Sequence, residues 1–280
     1  MSISRIKEIP VSTLESALFS IRDIDLLAIQ DTPIHRRDPR AKVIVALVFV
    51  VVVVSYDKYA LSALIPLVLY PIALSILGNL PPRYLLGKML LASPFALVLG
   101  FFNPFLDRSV ILELGSVGIT GGWISYASIL LRFLLTVSAA LILVSTTGFT
   151  AVCRSMTLLK IPRILTLQCL LLYRYIFVLA SETARMHKAW SLRSFSSKRI
   201  PLKVLGSLAG HSLLRSFDRA ERIHAAMLSR GFTGEINISH RLAFRGADLL
   251  FVLGWTAFFV LARCYNLPVF LGQTVIGLLS

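Results

Sequence analysis

Acidic residues are scarce in this chain: 14 aspartates and glutamates stand against 29 lysines and arginines in 280 residues, a formal net charge of +15. No aspartate cluster of the kind a phosphotransferase places at a membrane face is present, so that chemistry is excluded. Cysteine is scarcer still, with three in all. Cys153, Cys169 and Cys264 have no metal-ligand spacing and are expected to be buried small apolar residues rather than a disulfide or a zinc site. No glycine-rich loop ends in Gly-Lys-Ser/Thr, since Gly87-Lys88 is followed by Met89 inside an apolar stretch. Nucleotide binding of the usual kind is therefore excluded, and His-Glu-x-x-His and Gly-x-Ser-x-Gly are missing as well. Nothing here supplies energy or covalent chemistry; if work is done, a partner does it. Residues 1–40 mix charges, Pro10 and Pro33 with isolated aliphatics, and no signal peptide is expected.

What the chain has in abundance is apolar surface. Residues of the hydrophobic set make up 56% and charged ones only 15%, a membrane-protein profile. A hydrocarbon core about 30 Å thick needs roughly 20 apolar residues as a helix. Four candidates precede residue 150. The run 41–57 is β-branched and would read as a strand in water, but in lipid its backbone must bond internally and its length makes it a helix. The run 59–77 follows almost at once, with Asp57 and Lys58 at the turn. The run 84–102 is interrupted by Lys88 and Pro94, and 122–147 carries Arg132 near its middle. A fifth candidate, 247–265, comes after a gap of about a hundred residues. The remaining tail, 266–280, is short for a span and reads as an interfacial or partial helix. Pro66, Pro71 and Pro94 are expected to kink their spans.

Lysine and arginine orient the set. Residues 1–42 hold seven, the 57–58 turn one, 78–90 two, 103–118 one and 151–246 sixteen. Basic and basic-poor segments alternate, which places the N-terminus, the 78–90 loop and 151–246 in the cytoplasm and the C-terminus outside. The expected organisation is an N-terminal arm (1–40), four spans (41–147), a cytoplasmic segment (151–246), and a last span with its tail (247–280). The 151–246 segment carries +12 of the +15. Topology explains that charge without nucleic acid, since the segment lacks interleaved exposed aromatics. Its first helix opens at Pro162 and meets no breaker until Ser194, apolar until about residue 180 and polar afterwards, as for a helix that lies in or under the headgroups and then emerges. Its second opens after Pro201 and stops at Gly231.

These two helices end on one phrase. "AWSLRSF" (189–195) and "AMLSRGF" (226–232) align on Arg193 and Arg230, and the match extends through Arg185 with Arg222, His187 with His224, and Ala189 with Ala226, always 37 residues apart. On a helix Trp190, Ala189 and Met186 share the face of Arg193, and Met227, Ala226 and Ile223 that of Arg230. Each helix thus ends in an apolar stripe with one small residue and an arginine at its tip. A single copy reads as an ordinary helix stop, with Gly231 in the left-handed position, Phe232 packing back on Met227 and a cation at the negative end of the dipole. Two copies on the same side of the membrane point instead to a shared role, in which each arginine holds a partner carboxylate.

The pair "SLRS" and "LSRG" resembles the two x-Arg-x signatures of the T component, the transmembrane coupling subunit of energy-coupling factor (ECF) transporters. "IHRRDPRAK" (34–42), "LLYRYI", "ETARMHKA" and "FDRAERIHAAMLSRGFTG" are most similar to the cobalt branch, CbiQ, and the likeness runs from about residue 20 to 260. The resemblance implies an all-α integral membrane protein of about five transmembrane helices plus a cytoplasmic coupling domain of long helices crossing in an X. It also implies that Arg193 and Arg230 dock into two ABC-type ATPase subunits, with Leu192, Ser194, Ser229, Gly231, Ala189, Ala226, Trp190 and Met227 around them. The other implied partners are a substrate-binding membrane S component, with room for a small accessory membrane subunit, and the lipid of a bacterial cytoplasmic membrane. The first copy departs from the Ala-Arg-Gly form at Leu192 and Ser194, so its helix is expected to end differently.

Arg132 is costly at a bilayer centre and is divided between a structural bond to helix carbonyls and a subunit contact; Arg185 and Arg222 carry the same two readings. No cofactor and no metal ligands are expected, because His187 and His224 lack carboxylate or thiolate companions. His35 is expected to cap or orient the chain, Arg174 to snorkel or pair with Glu182, and Asp218 and Glu221 to pair with Arg215, Arg219 or Arg222 along their own helix. The function expected is a non-catalytic coupling subunit of an ATP-driven importer, for cobalt(II), with nickel or a vitamin as the alternative cargo. A membrane enzyme acting on phosphorylated substrates is the rival from another class; a self-sufficient carrier would show polar residues paired inside several spans.

Overall fold

The computed structural model of the chain describes residue 25 and residues 27–103, 110–114, 117–194, 201–234 and 244–264. The arm up to residue 24, Phe195 and the 266–280 tail lie outside the described residues. The chain divides into two compact units, one formed by Met1–Leu26 with Met156–His240 and the other by Leu27–Ser155 with Arg241–Ser280.

The second unit is a helical bundle. Its helices are α1 (Pro39–Val54), α2 (Leu61–Leu64), a 3₁₀ turn (Ile65–Val68), α3 (Leu69–Leu77), α4 (Pro82–Gly100), α5 (Gly121–Thr147) and α9 (Gly246–Cys264). The β-branched run does form a helix, α1, of 16 residues. The stretch expected as one span at 59–77 is α-helix, 3₁₀ turn and α-helix in succession, with Pro66 inside the 3₁₀ turn. Proline lacks the donor and cannot continue the ladder, so the backbone tightens there. Pro71 is buried in α3, and Pro94 lies inside α4. An antiparallel hairpin, β1 (Val110–Leu114) with β2 (Val117–Thr120), joins α4 to α5 and is an addition to the all-α plan.

Contacts at both ends fix the directions of the helices. Lys42 Nζ donates to the Thr146 carbonyl (2.9 Å) and Arg132 donates to the carbonyl of Asp57. Residues 42–57, of α1 and its turn, therefore run antiparallel beside residues 132–146 of α5. The Arg132 bond within the fold goes to the α1–α2 turn and not to a carbonyl within a neighbouring helix. With 27 residues α5 is about 40 Å long, longer than the hydrocarbon layer, and its first turns extend beyond that turn. The α9 helix runs parallel to α1: Asp248 meets the first residues of α1, and Arg263 donates to the Ser55 carbonyl (3.1 Å) with its guanidinium 4.5 Å from the Tyr56 ring. Between these ends lies an aromatic core of Phe49, Tyr70, Trp255 and Phe259. Ring centroids are 4.4 Å apart for Phe49 and Tyr70, and 5.2 Å for Phe49 and Phe259. On the outside Val51, Leu69, Leu90, Leu91, Phe95 and Leu250 are exposed. Water would not support a contiguous apolar belt of that kind, and lipid does.

Among the described residues three helices are long and apolar enough to cross a membrane: α5, α9 and α7 (Arg163–Arg193). The last was expected to lie in or under the headgroups; its length and composition also suffice for crossing, because few charges fall in its first half. Only Cys153 of the three cysteines is buried, and Cys169 and Cys264 are exposed, against the expectation that all three fill the interior.

His35 orients the chain ahead of α1. Thr32 Oγ1 lies 2.6 Å from Nδ1, and Nε2 lies 3.0 Å from the Leu27 carbonyl. A neutral ring with its proton on Nε2 satisfies both contacts. Burial, and secondarily the charge of Lys42, hold the imidazole below its usual range. The native state thus binds fewer protons than the unfolded chain, in which histidine titrates near about 6.5. The stabilisation is fully present above that pH and is lost as pH falls through the lower native value. Thermal unfolding in detergent is expected to drop between pH 7.5 and 5.5, with a shallower fall in His35→Gln; equal slopes would count against this role.

Candidate coupling site

The first unit contains α7 (Arg163–Arg193) and α8 (Leu202–Ser229), preceded by the short helix α6 (Phe149–Leu158), whose last residues belong to it. Both long helices begin and end where the sequence signals stand: Pro162 and Pro201 are the N-caps, and the ends fall at the two repeated arginines. Proline suits a helix start because the donor it lacks would be unpaired there anyway.

The second tip is closed by a complete Schellman motif. Gly231 has φ +77°, its N–H donates to the Leu228 carbonyl (2.9 Å), and the Phe232 N–H donates to the Met227 carbonyl (3.0 Å). A Cβ at Gly231 would meet nothing within 4 Å, so any cost of substitution is in the backbone. Gly231→Val is expected to cost about 1–2 kcal/mol locally, which makes amide exchange at 231 and 232 roughly five- to thirtyfold faster, whereas Gly231→Asn is expected to be nearly silent. The first tip ends differently, as the Ser194 substitution implied. Ser194 has φ −99°, and its N–H donates to the Trp190 carbonyl (3.0 Å) in a plain helical bond.

The two helices cross at an ion-paired centre. Glu182 of α7 is buried and accepts from Arg219 Nη2 (2.8 Å), with Arg215 Nη1 at 3.5 Å. This replaces two expectations. Glu182 is occupied by α8 and not by Arg174, and Arg215 and Arg219 turn across to α7 and not along their own helix to Asp218 or Glu221. A carboxylate with two guanidiniums in reach on the facing helix outcompetes an exposed pair on one helix, which contributes only about 0.3–0.5 kcal/mol.

Glu182 and Arg219 are themselves 37 residues apart, the spacing of the repeated phrase. The crossing therefore joins equivalent positions of the two copies. Like charges at such a meeting would repel, and the chain places opposite ones there. Arg193 and Arg230 each lie eleven residues beyond this pair, about 16 Å along their helices. Burial repeats as well: Met186 with Ile223 and Trp190 with Met227 are half-buried, while Ala189 with Ala226, Arg185 with Arg222 and Arg193 with Arg230 are exposed. Leu192 and Ser229 are also exposed. The larger apolar residues of each tip thus face inward in part, leaving the small residue and the arginine outward. The His187 and Trp190 rings are tilted by 59° to each other, with centroids 6.2 Å apart. Among the described residues no group of three or more His, Cys, Asp or Glu could hold a metal ion.

Sequence reasoning named both tips and missed the pivot. The signal for the pivot was present, since extending the 37-residue alignment back by three positions pairs Glu182 with Arg219.

A bundle sheathed in exposed apolar side chains, with long helices that pass the length for crossing, defines an all-α integral membrane protein. The chain belongs to the CbiQ family of cobalt transport proteins, whose pattern matches residues 30–241. It is 27% identical over 223 residues to the energy-coupling factor transporter transmembrane protein EcfT of Streptococcus thermophilus, covering 73% of this chain and 82% of that one. Two uncharacterized proteins of Methanocaldococcus jannaschii are also similar. One is 35% identical over 108 residues (38% of this chain, 40% of the relative) and the other 29% identical over 192 residues (64% and 65%). The chain therefore spans less than two thirds of the length of these two relatives.

Proposed function

We propose that this chain is the T component of an ECF-type ABC importer, a non-catalytic scaffold that holds two ABC-type ATPase subunits and passes their closure to a substrate-binding membrane subunit for cobalt(II) uptake. The observation that carries the reading is the pair of repeat-related arginine tips, equidistant from an ion-paired crossing of equivalent positions. Two matching tips at equal offsets from that pair fit a partner that is itself a pair of like subunits. An exposed arginine with a small neighbour can enter a groove and hold a carboxylate bidentately. The description of the family favours cobalt over nickel or a vitamin.

The charge asymmetry of the loops favours a cytoplasmic N-terminus and cytoplasmic tips in the cell's cytoplasmic membrane. For the substrate-binding subunit the most suitable surface is the open side of α8. Gly206 and Gly210 have no atom within 4 Å of a built Cβ, and Leu202, Leu213 and Phe217 beside them are exposed. A small-x-x-x-small notch of this kind lets another helix approach closely. Purified in mild detergent from its native membrane, the chain is expected to retain two ATPase subunits and a small membrane protein, and the reconstituted complex to accumulate radioactive cobalt only with ATP. Uptake by the chain alone would refute the reading.

A further inference from the structure

Among the described residues of the bundle, three charged ones are almost wholly buried: Asp38 and Lys42 are each 5% exposed and Asp248 is 3% exposed. Removing charges from water is costly unless they are paired and hydrogen-bonded, so their arrangement calls for a reason. Asp248 stands in the first turn of α9. Its Oδ2 accepts from the Arg245 N–H (3.0 Å), and its Oδ1 accepts from the Asp38 N–H (3.3 Å) with Arg37 Nη1 at 3.8 Å. Asp38 is in turn the N-cap of α1, accepting from the Arg40 N–H (2.8 Å). One turn further, Lys42 reaches the last carbonyls of α5 through Thr146. His35, just upstream, holds the Leu27 carbonyl.

In sequence the cluster lies near the points where the chain passes from one unit to the other. The passages fall at 26/27, 155/156 and 240/241. Leu27 opens the first, Thr146 lies nine residues before the second, and Asp248 seven residues after Arg241 at the third. Helices α1, α5 and α9 are thus tied to one another by one polar cluster at the base of the bundle.

We infer that Asp248, Asp38 and Lys42 are positioning residues for transport: the cluster makes the bases of α1, α5 and α9 move as one body, so that displacement of the coupling helices reaches the bundle undivided. This rests on the coupling role proposed above. A rod free at its base would bend or slide, and the partner's work would be dissipated in it; fastened rods share a displacement, because a packed and ion-paired base has discrete arrangements and resists graded deformation.

The test uses Asp248→Asn and Lys42→Gln, which keep side-chain size and remove one charge each, in the complete complex in proteoliposomes. Uptake per ATP hydrolysed is expected to fall about three- to thirtyfold while ATPase retention and hydrolysis stay near wild type. Retained uptake with a normal ATP ratio overturns the inference, as does loss of ATPase subunits in both variants, which would make the cluster a support of the fold alone. A second measurement needs no partner: in the detergent-purified chain, Asp248→Asn is expected to accelerate amide exchange in the first turns of α1 and α9 together. Acceleration confined to α9 would sink the idea of a common base. Failure of the wild-type chain to retain ATPases would instead count against the coupling role itself, leaving the exchange result to stand alone.

Discussion

Replacing Arg193 and Arg230 together with glutamate is expected to release the ATPase subunits from detergent-purified complex. Truncating one member of a buried charge pair costs about 2–5 kcal/mol, and placing a like charge opposite the partner carboxylate adds repulsion. The two tips lie at the ends of different helices, so their losses are expected to add. Each single substitution should therefore weaken retention by about thirtyfold or more, and the double change should abolish it. Size-exclusion profiles of the chain alone must stay unchanged, since both arginines are exposed and no ion pair among the described residues uses them. An intact complex after the double change would remove the main support for the coupling role.

The second large effect is expected at the crossing. Glu182→Arg puts a cation against Arg215 and Arg219 at a position where the glutamate side chain is only 11% exposed. Breaking a buried pair by altering one partner destabilises by about 3–5 kcal/mol, and this pair, half-buried on the arginine side, is expected toward the lower end. Spin labels at positions 193 and 230 report the outcome directly. The labelled distance distribution should be narrow where Glu182 is intact; it should broaden in Glu182→Arg, and ATPase retention, read on the unlabelled variant that keeps Arg193 and Arg230, should fall as well. Combining Glu182→Arg with Arg219→Glu restores a pair of opposite sign between equivalent positions and should restore the narrow distribution. A swapped variant as broad as the single one would show that Glu182 serves some other partner.

The fold was legible where the controlling interactions are local. Prolines 162 and 201 and Gly231 act on their own helix ends, and the helices run from Arg163 to Arg193 and from Leu202 to Ser229 as those signals indicate. The apolar runs likewise declared themselves, because a bilayer asks only for length and absence of charge. Less legible was the run 59–77, where two prolines split one expected rod, and the 163–193 helix, whose composition satisfies both a crossing and an interfacial course. At the site, both tips and their different terminations were readable, while the direction in which Met186, Trp190, Ile223 and Met227 point was not. Helical periodicity groups residues on a face without saying what that face meets.

By itself, then, the sequence determined the membrane class, the helix ends and the duplicated arginine phrase, since each is encoded within one or two helical turns or in a simple offset. The tertiary structure alone decided that Asp38 meets Asp248 across 210 positions, that Lys42 is buried at the end of α5, and that Glu182 joins its own counterpart Arg219. Charges of opposite sign attract whatever their separation along the chain, and which of many basic residues reaches a given carboxylate is set by the packing that brings their helices together.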